Sequence, residues 1–129
     1  MRVLMIEPMK EPYVVDIGND LKSMQDVVGG LIEVINLEDD IVMVDNEEGK
    51  LIGLEGNRRV GRDIIAGTFF LCGSNDEGEF VSLTEEQIDK YTKRFKESEY
   101  YTAEQVENSI RIELYSYDSI KEMYEDLEV

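Results

Sequence analysis

The chain contains no histidine, a single cysteine and only two prolines among its 129 residues. Histidine is the usual general base and the commonest metal ligand, so Ser-His and Cys-His catalysis within the chain is excluded. One cysteine, Cys72, allows neither an intramolecular disulfide nor a cysteine-based zinc cage, which fits an intracellular protein. Bases are scarce as well: 13 Lys and Arg stand against 30 Asp and Glu, a formal net charge of -17. Phosphate backbones are held by Lys and Arg, so direct binding to nucleic acid is disfavoured. No apolar run approaches the length that crosses a membrane, and Met1–Ile6, interrupted by Glu7-Pro8, is too short for a secretory signal. A cytoplasmic location is expected, with no membrane partner.

What is present is enough for one folded domain over residues 1–129, because 42% of the chain is apolar and the length suits a single core. The acidic excess has two readings. One is solubility, or a saline or crowded host interior; the other is attraction to a basic partner, and nucleic-acid-binding enzymes are the commonest large basic surfaces in a cell.

In chain order, Val3–Ile6 followed by Pro8 and Pro12 predicts an opening strand, and Tyr13–Ile17 predicts its hairpin partner. Gly18-Asn19-Asp20 offers a cap, Leu21, Met24, Val27 and Val28 share one helical face, and Gly29-Gly30 ends that helix. Leu31–Ile35 reads as a strand. Glu38-Asp39-Asp40 reads as an acidic turn; it lacks the alternating ligands and closing glutamate of an EF-hand, so no metal is expected there. Ile64–Cys72 is the most continuously apolar stretch and predicts one strand covered on both faces, with Cys72 as a core residue. Thr84-Glu85-Glu86-Gln87 is a capping box, and Ile88, Tyr91 and Phe95 continue one face of a helix over 85–96.

The densest polar constellation lies between these elements. Ile41–Val44 and Leu51–Leu54 flank Asn46-Glu47-Glu48-Gly49-Lys50, which predicts a β-hairpin with a charged tip, and Asn57-Arg58 follow closely. Arg58-Arg59-Val60-Gly61-Arg62 reads either as a loop paired with nearby carboxylates or as an anion clamp. Asn46, Glu47, Glu48, Lys50, Asn57 and Arg58 are the candidates for binding a small ligand such as a nucleotide. No reaction follows from them, and no catalytic residue or cofactor is assigned.

The segment from Glu97 to Val129 holds 10 acids, 2 bases and five of the seven tyrosines. Thr102–Gln105 repeats the capping-box pattern and predicts a short helix. Ile110, Ile112 and Leu114 alternate with polar residues as in a half-buried strand, and Ile120–Leu127 predicts a last helix. Glu97, Glu99, Tyr100, Tyr101, Glu104, Glu107, Glu113, Tyr115, Tyr117, Asp118, Glu122, Glu125 and Asp126 form the candidate partner-binding face, acids interleaved with an aromatic favoured at interfaces. Tyr115 and Tyr117 on a terminal strand would also permit a homodimer by edge pairing.

Glu7-Pro8, Val28-Gly29-Gly30, Ile32-Glu33, Asn46-Glu47-Glu48-Gly49-Lys50, Asn57-Arg58, Asp63–Thr68 and Ser82-Leu83-Thr84, in that order, resemble the domain-of-unknown-function family DUF3846 of phages and mobile elements. The resemblance covers residues 1–95 and leaves an acidic, Tyr-rich extension over 97–129. It implies a neighbourhood of accessory genes that often encode inhibitors of restriction or CRISPR systems.

The fold expected is α+β: a mostly antiparallel sheet of about five or more strands with two to four helices. The function expected is a non-enzymatic anti-defence protein, anti-CRISPR or anti-restriction. It would bind a host nuclease complex through an acidic, nucleic-acid-mimicking surface. The alternative is a module that sequesters a nucleotide signal at the Asn46–Arg58 region.

Overall fold

The computed structural model describes the backbone of residues 1–116 and the side chains of residues 1–109. Eight strands and three helices follow in the order β1 (Arg2–Ile6), β2 (Tyr13–Asp16), α1 (Leu21–Val28), β3 (Ile32–Glu38), β4 (Ile41–Asn46), β5 (Gly56–Val60), β6 (Asp63–Ala66), β7 (Phe69–Ser74), β8 (Phe80–Val81), α2 (Glu85–Arg94) and α3 (Ala103–Ser116). The class is α+β, as the separation of strand and helix patterns requires.

A six-stranded sheet runs in the order β2-β1-β7-β4-β3, with β8 pairing the end of β7; β5 and β6 form a separate two-stranded hairpin. Every pairing is antiparallel. The inner strands are continuous apolar runs because both faces of the sheet are covered. On one face Leu4, Ile6, Met43, Phe69 and Leu71 meet Ile88 and Tyr91 of α2 and Phe95, which caps it. Phe95 meets Phe69 edge-on, with ring centroids 5.8 Å apart. On the other face Val3, Met5, Val42, Val44, Phe70 and Cys72 meet Met24 and Val28 of α1. The edge strands β2 and β3 alternate or lie largely exposed, as strands with one open side do.

The helix ends follow their capping chemistry. The Asp20 carboxylate accepts from Ser23 N at 2.6 Å, and Gly29 takes the left-handed conformation, φ 81°, that closes α1. Thr84 and Gln87 form the reciprocal capping box of α2. Thr102 and Gln105 do the same ahead of α3.

Four expectations are corrected. Leu51–Leu54 is not a strand and the Asn46–Lys50 tip is not a hairpin: β4 has β3 on one side and β7 on the other, so no edge is left for a returning strand. Instead the chain coils through turns, with Ile52 N on Glu48 O at 3.0 Å and Leu54 N on Gly49 O at 2.9 Å. Ile64–Cys72 is two strands, because Gly67 at φ 83° breaks the run and sends β6 and β7 to different sheets. Arg58–Val60 is strand and not loop; Gly61 at φ 62° makes the turn into β6. Ile110, Ile112 and Leu114 belong to a helix, because the Thr102 box starts α3 and no glycine or proline interrupts it through Ser116. Tyr115 is therefore helical, and edge pairing through a strand there is withdrawn. The helix expected over 120–127 lies outside the described residues.

Candidate functional site

The polar constellation is built first from Asn46, the last residue of β4. Its Nδ2 donates to Val28 O at 3.1 Å and its Oδ1 accepts from Glu48 N at 2.8 Å. A Cβ on Gly30 would lie 2.9 Å from that amide nitrogen. Val28-Gly29-Gly30 and Asn46-Glu47-Glu48 are thus two halves of one lock between the end of α1 and the exit of β4. Gly49 is held for close approach: an added Cβ would meet Ala66 O at 2.8 Å.

Asn57 and Arg58 are both fully buried. Asn57 Nδ2 donates to Ile6 O at 2.8 Å and Gly67 O at 2.9 Å, stitching β5 to the ends of β1 and β6. Its Oδ1 accepts from Arg58 Nη1 at 2.9 Å. Arg58 also donates from Nε to Phe95 O at 3.1 Å and from Nη2 to Lys10 O at 2.5 Å. Burial pushes its pKa down, opposed by the charge of Glu99 and by Tyr101. Its donors end on backbone carbonyls and on the Asn57 amide oxygen, so it ties β5, the turn after β1 and the end of α2 into one body.

Lys50 pairs with Asp63, and its Nζ donates to Ser109 Oγ at 3.1 Å. The Ser109 hydroxyl donates to Asp63 Oδ1 at 2.8 Å and accepts from Ile64 N at 3.0 Å. A serine between a lysine and a carboxylate suggests a nucleophile. Here the residue is buried, and its donor and both acceptor sites are engaged, which makes it the tether of α3. Val106 of the same helix packs on Ile64 and Ala66. Close by, burial and the negative charge of Asp63 raise the pKa of the half-buried Glu33, against the opposing charge of Lys50.

The six ligand candidates therefore do not line one pocket. Asn46, Asn57 and Arg58 are buried and bonded to the protein itself, Lys50 is ion-paired, and Glu47 and Glu48 are exposed. The partner candidates divide too. Tyr101 OH donates to Glu99 Oε1, the other Glu99 oxygen accepts from Arg59 N at 3.1 Å, and the Arg59 guanidinium lies 5.5 Å from the Tyr101 ring centre. Glu99 and Tyr101 thus join the extension to β5. Glu97, Tyr100, Glu104 and Glu107 are exposed. Glu113 and Tyr115 fall on α3 beyond the described side chains, and Tyr117, Asp118, Glu122, Glu125 and Asp126 lie outside the described residues.

The sequence reading missed a groove of about 630 Å³ lined by Val34, Leu37, Glu38, Asp39, Val42 and Phe80, among others. It forms where the β3–β4 turn meets the β7–β8 turn, with Ser74 N donating to Asp40 O at 2.9 Å. Two turns far apart in sequence, each read singly, carried no signal of their meeting. Among the described residues no group of His, Cys, Asp and Glu is placed to hold a metal, and no helix is long and apolar enough to cross a membrane.

Comparison with curated proteins and with solved structures gives no match. A family model does match, over residues 1–96, and its span ends just after Phe95, the residue whose carbonyl Arg58 holds. The locks at Val28–Asn46, Asn57 and Arg58 all fall inside it, and the chain belongs to the family described as Domain of unknown function (DUF3846).

Proposed function

We propose that the protein is a non-enzymatic anti-defence factor that binds a host nuclease complex through its acidic surface and so competes with nucleic acid. The observation that supports this best is the placement of charge. Asp45 is the one buried Asp or Glu among the described residues, so the carboxylate excess of those residues lies outside the core. Such a surface draws a basic groove by long-range attraction and is repelled by nucleic acid itself. The resemblance to proteins of phages and mobile elements points the same way. The burial of Asn57 and Arg58 weighs against the nucleotide-sequestering alternative, because the residues that would read the ligand already hold the protein's own carbonyls.

The test is expression of the chain in strains that each carry one defined restriction or CRISPR system, challenged with phage. Infection should recover in one background. Purified protein should then displace nucleic acid from that complex, with displacement weakening about tenfold or more as salt rises. Absence of protection in every background, together with salt-independent or absent competition, would overturn the proposal.

A further inference from the structure

We infer that the groove beside β3 is a docking site for an extended, lysine- or arginine-bearing segment of a partner protein. The inference rests on the reading of the protein as an acidic partner of basic proteins and names the surface involved. β3 is the last strand of the described sheet, and no described strand pairs with its outer edge. An open edge is a template for a further strand. Val34 faces outward from β3 at 44% exposure, and with Val42 and Phe80 it makes an apolar floor for one side chain of such a segment. α1 covers the same sheet face beside Met24 and Val28 and leaves this part open.

The rim decides the occupant. Glu38 and Asp39 line the groove, Asp40 follows them, and Gly78 brings the turn that carries Asp76, Glu77 and Glu79. Asn75 holds that turn in shape, its Oδ1 accepting from Glu77 N at 3.0 Å and Glu79 N at 2.9 Å. Glu38 is already engaged by Lys90 at 2.5 Å, so Asp39 and the acids of the β7–β8 turn are the rim carboxylates that meet an incoming cation. A second copy of the chain brings the same acids and a net charge of -17, so like charges oppose self-pairing here. Residues 117–129 hold five acids and one lysine, and their charge opposes the site in the same way. A basic segment is the occupant that fits: backbone along β3, an apolar side chain on Val34 and Val42, cations on the rim.

The probe is a synthetic peptide of about ten residues alternating lysine and valine, with its glutamate-valine counterpart as control. Both are titrated into the full chain while backbone amide resonances are followed. The lysine peptide should move Val34, Asn36, Val42 and Gly78 first, and binding should weaken about tenfold or more between about 50 and 300 mM salt. Val34→Lys and Asp39→Lys, both at exposed positions, should each reduce binding severalfold without altering the fold. Shifts centred elsewhere, equal binding of the glutamate peptide, or concentration-dependent shifts of these amides without peptide would each overturn the inference. Its failure is separable from that of the proposed function. Groove variants that still protect phage sink the docking site alone, whereas absent protection with intact peptide binding sinks the anti-defence reading alone.

Discussion

Arg58 Nε donates to the backbone carbonyl of Phe95 at 3.1 Å, across 37 residues of chain. The same guanidinium holds Lys10 O and the Asn57 side chain, so three separate segments share one buried cation. A planar fork reaches partners in several directions at fixed angles; an ammonium on a flexible stem does not. Arg58→Ala leaves these acceptors buried without donors, each costing about 1–3 kcal/mol, for a total loss of about 3 kcal/mol or more. Arg58→Lys should recover less than half of it. Urea unfolding of the purified variants checks both, and a loss under about 1 kcal/mol for Arg58→Ala would show that the cage is not structural.

The two glycines of the coil after β4 should respond differently to alanine. At Gly49 the obstacle is contact, a Cβ 2.8 Å from a backbone oxygen, and backbone cannot swing aside as a side chain can. At Gly53 there is open space, but φ is 77° and an L-residue is strained there. Gly49→Ala should cost about 1–3 kcal/mol and Gly53→Ala about 1 kcal/mol. Gly53→Asn, which tolerates the left-handed region, should recover part of the second loss and the equivalent change at Gly49 none. Thermal unfolding of the four variants distinguishes the two causes.

These positions show what was legible in the sequence. α1 and α2 could be read to the residue at their starts, because Asp20 and the Thr84 box are local chemistry. The β1–β2 hairpin and the buried Cys72 followed from apolar runs bounded by turn residues. What failed was non-local. Ile41–Val44 and Leu51–Leu54 look like hairpin partners until β7 takes the free side of β4. Asn57-Arg58 looks like a polar surface pair until burial places it among carbonyls of β1, β6 and α2. A rich polar motif marks a lock or a site equally well, and only the destination of its hydrogen bonds tells them apart.

Ser109 gives a third expectation. Its hydroxyl serves Ile64 N, Asp63 and Lys50 at once, and it carries α3 onto a family core that ends at residue 96. Ser109→Ala should cost about 1–2 kcal/mol, felt first as loosening of α3. Hydrogen exchange should speed at Ile64 and along α3 while amides of β1, β4 and β7 keep their protection. Uniform acceleration across the sheet would mean that α3 and the core unfold as one unit.

Cys72 is fully buried between β1-side and α1-side packing, and burial pushes its thiol up to about 12. The thiolate needed for alkylation is therefore scarce in the folded protein at any ordinary pH. Iodoacetamide at pH 8 should label Cys72 only through global opening, at a rate that tracks the urea-measured stability across the variants above. Rapid labelling of the native protein would refute this.

Glu33 supplies the pH dependence. Burial first, and then the charge of Asp63, hold its pKa above the ordinary glutamate value in the folded state. A carboxylate whose folded pKa is raised favours folding below its unfolded pKa, and that contribution is lost as pH rises through the folded value. The ionised form of Glu33, favoured as pH rises, is thus the form its surroundings oppose. Glu33→Gln should stabilise the protein at pH 7, modestly because the side chain is half-buried. The advantage should shrink toward zero as pH falls to about 4, where the wild-type carboxyl is itself protonated. Urea midpoints at the two pH values measure the difference. An advantage that grows on acidification would mean that the Lys50 attraction outweighs burial, reversing the sign of the shift.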